Sequence, residues 1–214
     1  EIRTLWAKSA VMRTNTVEMM IPDERWEKAM GFGVKVRVEQ SVARIGRTSW
    51  TVDSIVTTSV QHLARVSTVM VSLDAETISK PVPLPNLDNP NGMKALVRDN
   101  VMAIREMPKV CPRPADVFTW STYIRPSDCD ALGHLNNAIY GDLFQDARQA
   151  AVFSGAFKGV AAGPGSARFA TIEYLHEGKA LQMIELAIWW DDISQAFGVE
   201  LTHPTQESET LLAR

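Results

Sequence analysis

One helix-spaced apolar run, residues 137–153, limits the fold more than any other stretch of the sequence. Its apolar residues recur at spacings of four, four, three and three, and they are Ile139, Leu143, Ala147, Ala150 and Phe153. Residues at these spacings share one face of an α-helix. Further apolar residues flank the stripe, so the sequence predicts a helix that is apolar nearly all round and therefore buried.

Strand-like runs surround this helix. One run, residues 117–125, precedes it, and four follow it, at residues 167–176, 180–192, 196–204 and 208–214. The second of these four places alternate apolar residues on one strand face, at Ile184, Leu186, Ile188 and Trp190. An order of strand, buried helix and four consecutive strands predicts an α+β fold in which an antiparallel sheet wraps around one helix.

The first half of the chain repeats part of this plan. Pro22, followed by two acids, is typical of a helix start. Strands are predicted at residues 34–42, 46–58 and 64–74. The first of them alternates Val34, Val36 and Val38 with charged residues, so we expect these valines on a buried face. A repeat of order 100 residues indicates two like domains in tandem, because solenoid periods are roughly 20 to 50 residues.

A proline-rich stretch, residues 79–94, separates the two halves with four prolines and an Asn-Gly pair. Residues 94–107 then predict a helix that crosses between domains. We therefore expect a first domain over residues 1–86, a linker over 87–115 and a second domain over 116–214. The chain begins at Glu1 without a methionine, and we expect the first domain to be incomplete at its N-terminus.

Composition excludes several functional classes. The chain has 22 basic and 25 acidic residues and a formal net charge of -3, which argues against a nucleic-acid surface. Two cysteines are too few for a disulfide framework, and neither they nor the histidines have the spacing of metal ligands. No run approaches the roughly 18 apolar residues that a membrane span needs. A small or neutral partner is expected instead.

Polar residues cluster immediately before the buried helix, in the stretch "SDCDALGHLNN". Asp130 and His134 are groups that can act as a general base, and the start of a helix offers backbone N–H groups to an oxyanion. The same residues have structural alternatives. Asp128 and Asp130 are good Asx-turn residues, Asn136 or Asn137 is a good N-cap, and His134 is equally compatible with a packed structural histidine.

This stretch resembles the loop and central helix of the hotdog-fold thioesterases, in the acyl-CoA and 4-hydroxybenzoyl-CoA branch and the related acyl-ACP thioesterases. The family pattern is Asp-x-Asp, then Gly-His-x-Asn-Asn and an aromatic-rich helix, and it is matched by Asp128, Asp130, Gly133, His134, Asn136, Asn137 and Tyr140. The resemblance is strong over residues 118–190 and weaker over 34–86. It implies a tandem double hotdog and hydrolysis of a fatty acyl-CoA or acyl-ACP.

The resemblance also implies roles for individual residues. Asp130 matches the motif acid and is expected to be the nucleophile or base, with Glu177 as an alternative base or a turn residue. His134 is expected to orient the thioester or a water, and Asn137 to do the same or to cap the helix. Arg168 and Lys158 flank a glycine-containing loop and are the candidates for binding a phosphate of coenzyme A. No metal or separate cofactor is implied, because coenzyme A or phosphopantetheine belongs to the substrate.

Departures from the family pattern keep a second function open. Leu132 stands where the acyl-ACP branch has an asparagine, and Gly178 stands where it has a cysteine. The first half shows no counterpart of the loop, so one site per chain is expected. The alternative is therefore a catalytically silent hotdog protein that serves as a structural or acyl-carrier-binding subunit of a larger assembly.

The expected partners are an acyl thioester and, where the substrate is carrier-bound, an acyl carrier protein. The expected location is intracellular. The missing methionine is compatible with import into an organelle matrix, mitochondrial or plastid, and the cytoplasm is the alternative.

Overall fold

A computed structural model describes residues 10–21, 33–74, 80–84, 97–98, 109–157, 168–204 and 209–214. The chain divides into two compact units. Unit 1 comprises residues 1–106 and 168–171, and unit 2 comprises residues 107–167 and 172–214. The boundaries expected from the sequence stay predictions, because much of the expected linker lies outside the described residues.

The described residues form nine strands and one α-helix. In chain order they are β1 (Ala10–Met19), β2 (Arg37–Ile45), β3 (Ser49–Thr57), β4 (His62–Ser72), β5 (Phe118–Tyr123), α1 (Asn137–Phe153), β6 (Phe169–Glu173), β7 (Met183–Asp191), β8 (Ala196–Pro204) and β9 (Glu209–Ala213). All eight strands predicted from alternation are present. The first strand, β1, was not predicted, because the apolar residues of "AVMRTNTVEM" do not alternate cleanly with polar ones.

Unit 1 is built on an antiparallel sheet with the strand order β2-β3-β4-β1-β6. Residues 168–171 bring the first part of β6 into this unit. One core cluster consists of Trp50, Val52, Met70 and Leu84, and a second consists of Ile21 and Leu63. Burying each of these large apolar side chains contributes roughly 1.5–3 kcal/mol to the stability of the unit.

The valines expected on a buried face at the start of β2 are exposed, which corrects the prediction. Val34, Val36 and Val38 have 41%, 42% and 54% of their surface accessible, and the strand begins only at Arg37. The reason is position in the sheet. β2 is the outermost strand of the described order, so its first residues have a strand neighbour on one side only.

The described residues test only one of the two helices predicted in the first half of the chain. The helix expected to start at Pro22 lies outside the described residues. Within the helix expected over residues 94–107, only Val97 and Arg98 are described. Val97 forms a parallel bridge with Val42, and the Arg98 N–H donates to the Val42 carbonyl at 3.2 Å. These two residues are therefore not helical.

Unit 2 is an antiparallel sheet, β5-β7-β8-β9, with α1 packed against β5 and β7. Ile184, Leu186 and Ile188 of β7 are fully buried, as the alternation predicts. Trp190 of the same predicted face is only half-buried, whereas Ala187 and Trp189 of the other face are buried. After β6, the backbone groups of Glu173 and Arg214 exchange two hydrogen bonds of 2.7 and 3.1 Å beside the end of β9. This sheet around one helix confirms the α+β fold and the hotdog arrangement.

The buried face of α1 differs from the expected stripe. Its buried residues are Tyr140, Leu143, Ala147, Arg148 and Ala151. Leu143 and Ala147 belong to the predicted face, whereas Phe153 is 77% exposed. Asp142 and Asp146 are exposed as well, so the prediction of a helix that is apolar nearly all round and buried is wrong. Because apolar residues flank the stripe on both sides, spacing alone did not fix which side of the helix faces the sheet.

Candidate functional site

A buried carboxylate, that of Asp128, lies at the start of the motif. Asp128 accepts hydrogen bonds from the Arg125 guanidinium at 2.9, 3.0 and 3.1 Å and from the Arg125 backbone N–H at 3.0 Å. The hydrogen bond from the Arg125 side chain holds the pKa of Asp128 below its ordinary value, although burial acts in the opposite direction. Asp128 is thus an anchor for the loop, since its two oxygens are occupied by Arg125.

Asp130 shapes the next part of the loop. Its Oδ1 accepts from the backbone N–H groups of Leu132, at 2.8 Å, and His134, at 3.1 Å. The Asp130 N–H donates to the His134 carbonyl at 2.8 Å, and Gly133 closes the turn with φ +81°. This is the Asx-turn alternative considered for Asp130. The carboxylate is exposed, so the turn still leaves it open to solvent.

His134 and Glu177 come together although they are far apart in sequence. The Nε2 atom of His134 lies 3.3 Å from Oε2 of Glu177, and the side chains are 32% and 53% exposed. The backbone aligns the two loops, because His134 forms an antiparallel bridge with Lys179 and the Leu135 N–H donates to the Gly178 carbonyl at 2.8 Å. Three of the four predicted catalytic residues, Asp130, His134 and Glu177, thus belong to adjoining loops.

The start of α1 has fewer available N–H groups than expected. Asn136 is the N-cap, and its Oδ1 accepts from the Ala138 N–H at 3.1 Å. The Ile139 N–H donates to the Asn136 carbonyl, and the Asn136 N–H donates to the Asp128 carbonyl, both at 2.9 Å. These three amides, which the sequence had suggested as oxyanion donors, are occupied within the protein.

Asn137, the fourth predicted catalytic residue, is exposed at the first position of α1. Its carbonyl oxygen accepts a hydrogen bond of 3.2 Å from the hydroxyl of Tyr174. The N-cap is Asn136, so the capping alternative considered for Asn137 is not realised.

Two buried tyrosines lie at this site that the sequence did not single out for a role. Tyr140 of α1 and Tyr174 are 2% and 8% exposed, and their rings meet edge to face at 5.1 Å. Burial raises the pKa of Tyr140 to about 12, although a hydrogen bond from the Gly178 backbone N–H acts in the opposite direction. Tyr140 matched the family motif, and its helical spacing from Leu143 and Ala147 was the available signal for burial.

Gly178 leaves no room for the cysteine of the acyl-ACP branch. A Cβ at this position would lie 2.8 Å from Cδ1 of Ile124 and 3.3 Å from Cβ of Leu135. Both neighbours are buried, so they would have to move to admit a side chain.

The described residues leave the two predicted phosphate contacts as predictions. Arg168 belongs to unit 1 and is exposed, and its carbonyl accepts from the Met19 N–H at 2.7 Å. Lys158 lies outside the described residues. In the described ranges no group of three or more His, Cys, Asp and Glu residues could hold a metal, and no helix there is long and apolar enough to cross a membrane.

Comparison with solved structures identifies the fold. An acyl-ACP thioesterase from Bacteroides thetaiotaomicron superposes with a TM-score of 0.68 at 15% identity, over 96% of this chain and 74% of that chain. A 12:0-ACP thioesterase from Umbellularia californica gives 0.63 at 20% identity, over 96% and 73%. The full-length peroxisomal multifunctional enzyme type 2 from Drosophila melanogaster gives 0.55 at 8% identity, over 94% and 36%. The chain therefore has the hotdog fold.

The sequence itself matches no protein-family model and no curated protein. At identities of 20% or less, the structural likeness establishes the fold and leaves the activity to be inferred from the site.

Proposed function

We propose that this protein hydrolyses the thioester of a fatty acyl-CoA or acyl-ACP. The observation that carries the proposal is the His134–Glu177 pair, 3.3 Å apart, beside the Asp130 turn and the start of α1. The proposal is further supported by the similarity to two structures that are described as acyl-ACP thioesterases.

A histidine paired with a carboxylate is suited to activating water. In neutral His134, a proton carried by Nε2 would be directed at the Glu177 carboxylate and would stay on the ring. Nδ1 would then be free to accept a proton from water. The hydroxide oxygen then adds to the thioester carbonyl carbon. When the C–S bond breaks, the leaving thiolate takes the proton back from the imidazolium. The products are a free fatty acid and the free thiol of coenzyme A or of the carrier.

Asp130 remains a candidate for the base or nucleophile in this proposal. Its Oδ1 already accepts two backbone N–H groups, which favours a role in shaping the loop that presents His134. The two roles are separable, because asparagine preserves an Asx-turn but cannot act as a base. Loss of hydrolysis in Asp130→Asn indicates chemistry, whereas loss only in Asp130→Ala indicates the turn.

The first experiment measures hydrolysis of acyl-CoA and acyl-ACP substrates of graded chain length by the purified chain. We expect His134→Ala and Glu177→Gln to lower kcat/KM by about 10²–10⁴-fold, the range of general acid–base catalysis. Asp142→Asn is the matched control, because Asp142 is exposed on the same helix that starts at the site. Hydrolysis that survives in both site variants would show that this pair is not the catalyst.

Specific observations favour the alternative of a catalytically silent subunit. Leu132 and Gly178 replace two family side chains, and three amides at the helix start are already bonded. In this case the folded protein would bind an acyl carrier protein without hydrolysing any thioester. Absence of turnover on every substrate, combined with carrier binding, would favour this alternative.

Two further parts of the proposal come from the sequence. Arg168 and Lys158 are the proposed contacts of a coenzyme A phosphate, and Arg168→Ala should then raise KM for acyl-CoA with little change in kcat. An organelle matrix, mitochondrial or plastid, is the proposed compartment, with the cytoplasm as the alternative. Imaging of the tagged full-length protein in its own cells distinguishes the two.

A further inference from the structure

Leu181 is a strained and exposed residue in the loop that carries Glu177. Its φ is +66°, in the left-handed region, and 73% of its surface is accessible. The Leu181 N–H donates to the Ile124 carbonyl at 2.8 Å, and the Gln182 N–H donates to the Lys179 carbonyl at 3.2 Å, so the turn is held on both sides. A left-handed conformation is unfavourable for leucine, and an exposed side chain recovers little of this cost by packing. The leucine side chain therefore contributes little to the stability of the fold.

A comparison with Gln195 shows what is unusual about Leu181. Among the residues that the structure describes, these two are the non-glycine residues with a positive φ, 66° and 53°. Gln195 uses its side chain locally, because Nε2 donates to the Asp192 carbonyl at 2.7 Å. A leucine side chain has no polar atom with which to form such a bond. Residues held in strained backbone conformations cluster at functional sites, and Leu181 follows Glu177 by four positions.

A second exposed leucine, Leu132, lies at the same end of the bridge between the two loops. His134 pairs with Lys179 in an antiparallel direction, so residues before His134 and residues after Lys179 lie beyond the same end of this bridge. Leu132 precedes His134 by two positions, and Leu181 follows Lys179 by two. Leu132 is 78% exposed, although its N–H donates to Oδ1 of Asp130 at 2.8 Å. The two leucines thus present apolar surface to solvent beside the candidate catalytic pair.

We propose that Leu132 and Leu181, together called the apolar lip, bind the acyl chain of the thioester next to its carbonyl group. This inference rests on the proposed thioesterase function, in which the carbonyl lies beside the His134–Glu177 pair. Of the two parts of the substrate that extend from the carbonyl, the acyl chain is apolar, whereas the pantetheine arm carries amides and, in coenzyme A, phosphates. Exposed leucine side chains favour the acyl chain, because contact with it removes apolar surface of both partners from water.

Leu132→Asn and Leu181→Gly test the apolar lip. Asparagine is the residue of the acyl-ACP branch at position 132, and glycine adopts the φ of Leu181 without strain. We expect each variant to raise KM for long-chain acyl-CoA by about 4-fold or more, the effect of one methylene group left in water, with kcat little changed. KM for acetyl-CoA should change by less than about 2-fold, because its acyl group offers little apolar surface.

Gln195→Gly is the matched control, because it also places glycine at a positive-φ position of unit 2. Gln195 lies beyond the end of β7 at Asp191, whereas Leu181 lies before its start at Met183, so the nine-residue strand separates the two positions. The control should keep the KM of the parent chain for every acyl length. The Tm of Leu181→Gly should equal or exceed that of the parent chain, since the substitution relieves left-handed strain.

Three results would overturn the apolar lip and leave the proposed function intact. The first is a parent-like KM for long-chain acyl-CoA in either folded variant. The second is an equal rise in KM for acetyl-CoA and long-chain acyl-CoA, which would assign the leucines to the coenzyme A portion. The third is a lower Tm of Leu181→Gly with unchanged KM, which would assign Leu181 to the fold. No turnover by the parent chain on any acyl thioester would overturn the proposed function and this inference with it.

Discussion

At the scale of single residues, three acids of the candidate site have different surroundings. Asp128 is buried and bonded to Arg125, Asp130 organises the turn, and Glu177 faces His134. The sequence placed Asp128 and Asp130 in one loop but could not assign these roles. The assignment depends on the contact of Arg125 with Asp128 and on that of Glu177 with His134, which only the folded loops show.

Asp128→Asn tests the anchor through its pH dependence. The pKa of Asp128 is held below its ordinary value, chiefly by the Arg125 hydrogen bond, so its carboxylate stabilises the fold at pH values above the unfolded-state pKa of about 3.9. That contribution is lost as the pH falls through the folded-state pKa. We expect the variant to melt a few degrees lower at neutral pH.

The difference should shrink as the pH falls below about 4, because the carboxyl then takes up a proton in the unfolded chain, and at still lower pH in the folded protein as well. Thermal unfolding followed by circular dichroism from pH 7 to pH 3 provides both values. A difference in Tm that does not change with pH would contradict the role assigned to the carboxylate charge.

At the scale of elements, packing explains where the sequence pattern was sufficient. In unit 2, alternation identified β7 through Ile184, Leu186 and Ile188, which are fully buried, although residues on its other face are buried as well. The valines at the start of β2 have the same alternation, yet they are exposed because β2 is outermost in the described sheet. Alternation reports the periodicity of a strand, and the position of the strand in the sheet decides what its apolar face meets.

Gly178→Ala and Gly141→Ala form a matched pair at this scale. A methyl group at Gly178 would lie 2.8 Å from Ile124, so we expect a loss of about 1–3 kcal/mol from overpacking. At Gly141, in α1, an added methyl group meets no described atom within 4 Å. This substitution should instead stabilise the protein by about 0.5–1 kcal/mol, because alanine favours the helix.

Urea denaturation of both variants measures these changes in the free energy of unfolding. A stabilised Gly178→Ala variant would show that Ile124 and Leu135 yield easily and that a side chain is tolerated beside Glu177. In that case the absence of the family cysteine would have no packing cause.

At the scale of the whole molecule, the chain carries two compact units but one copy of the motif. Unit 2 contains Asp130, His134 and Glu177, and the first half of the sequence has no Asp-x-x-Gly-His-x-Asn-Asn loop. Two compact units in one chain therefore do not imply two copies of the chemistry.

We expect one substrate site per chain. Calorimetric titration with a non-hydrolysable thioether analogue of the preferred acyl-CoA should give a stoichiometry near one, and His134→Ala alone should remove essentially all turnover. Two analogue molecules bound per chain, or half of the parent activity remaining in the variant, would place a second site elsewhere in the molecule.

The sequence by itself determined the local features of this protein. Periodicity fixed eight strands and the helix, because backbone geometry imposes repeats of two and 3.6 residues on any buried face. It also located the loop with Asp130 and His134, since the chemistry of these residue types and their spacing are local properties.

Only the tertiary structure decided the contacts between distant segments. The pairing of His134 with Glu177, the bond from Tyr174 to Asn137 and the crowding at Gly178 all join residues that the sequence separates. These contacts arise from the way the sheet and helix pack, and several packings satisfy the same pattern of apolar residues. For the same reason, the exposure of Val38 and the direction of the buried face of α1 became known only from the folded chain.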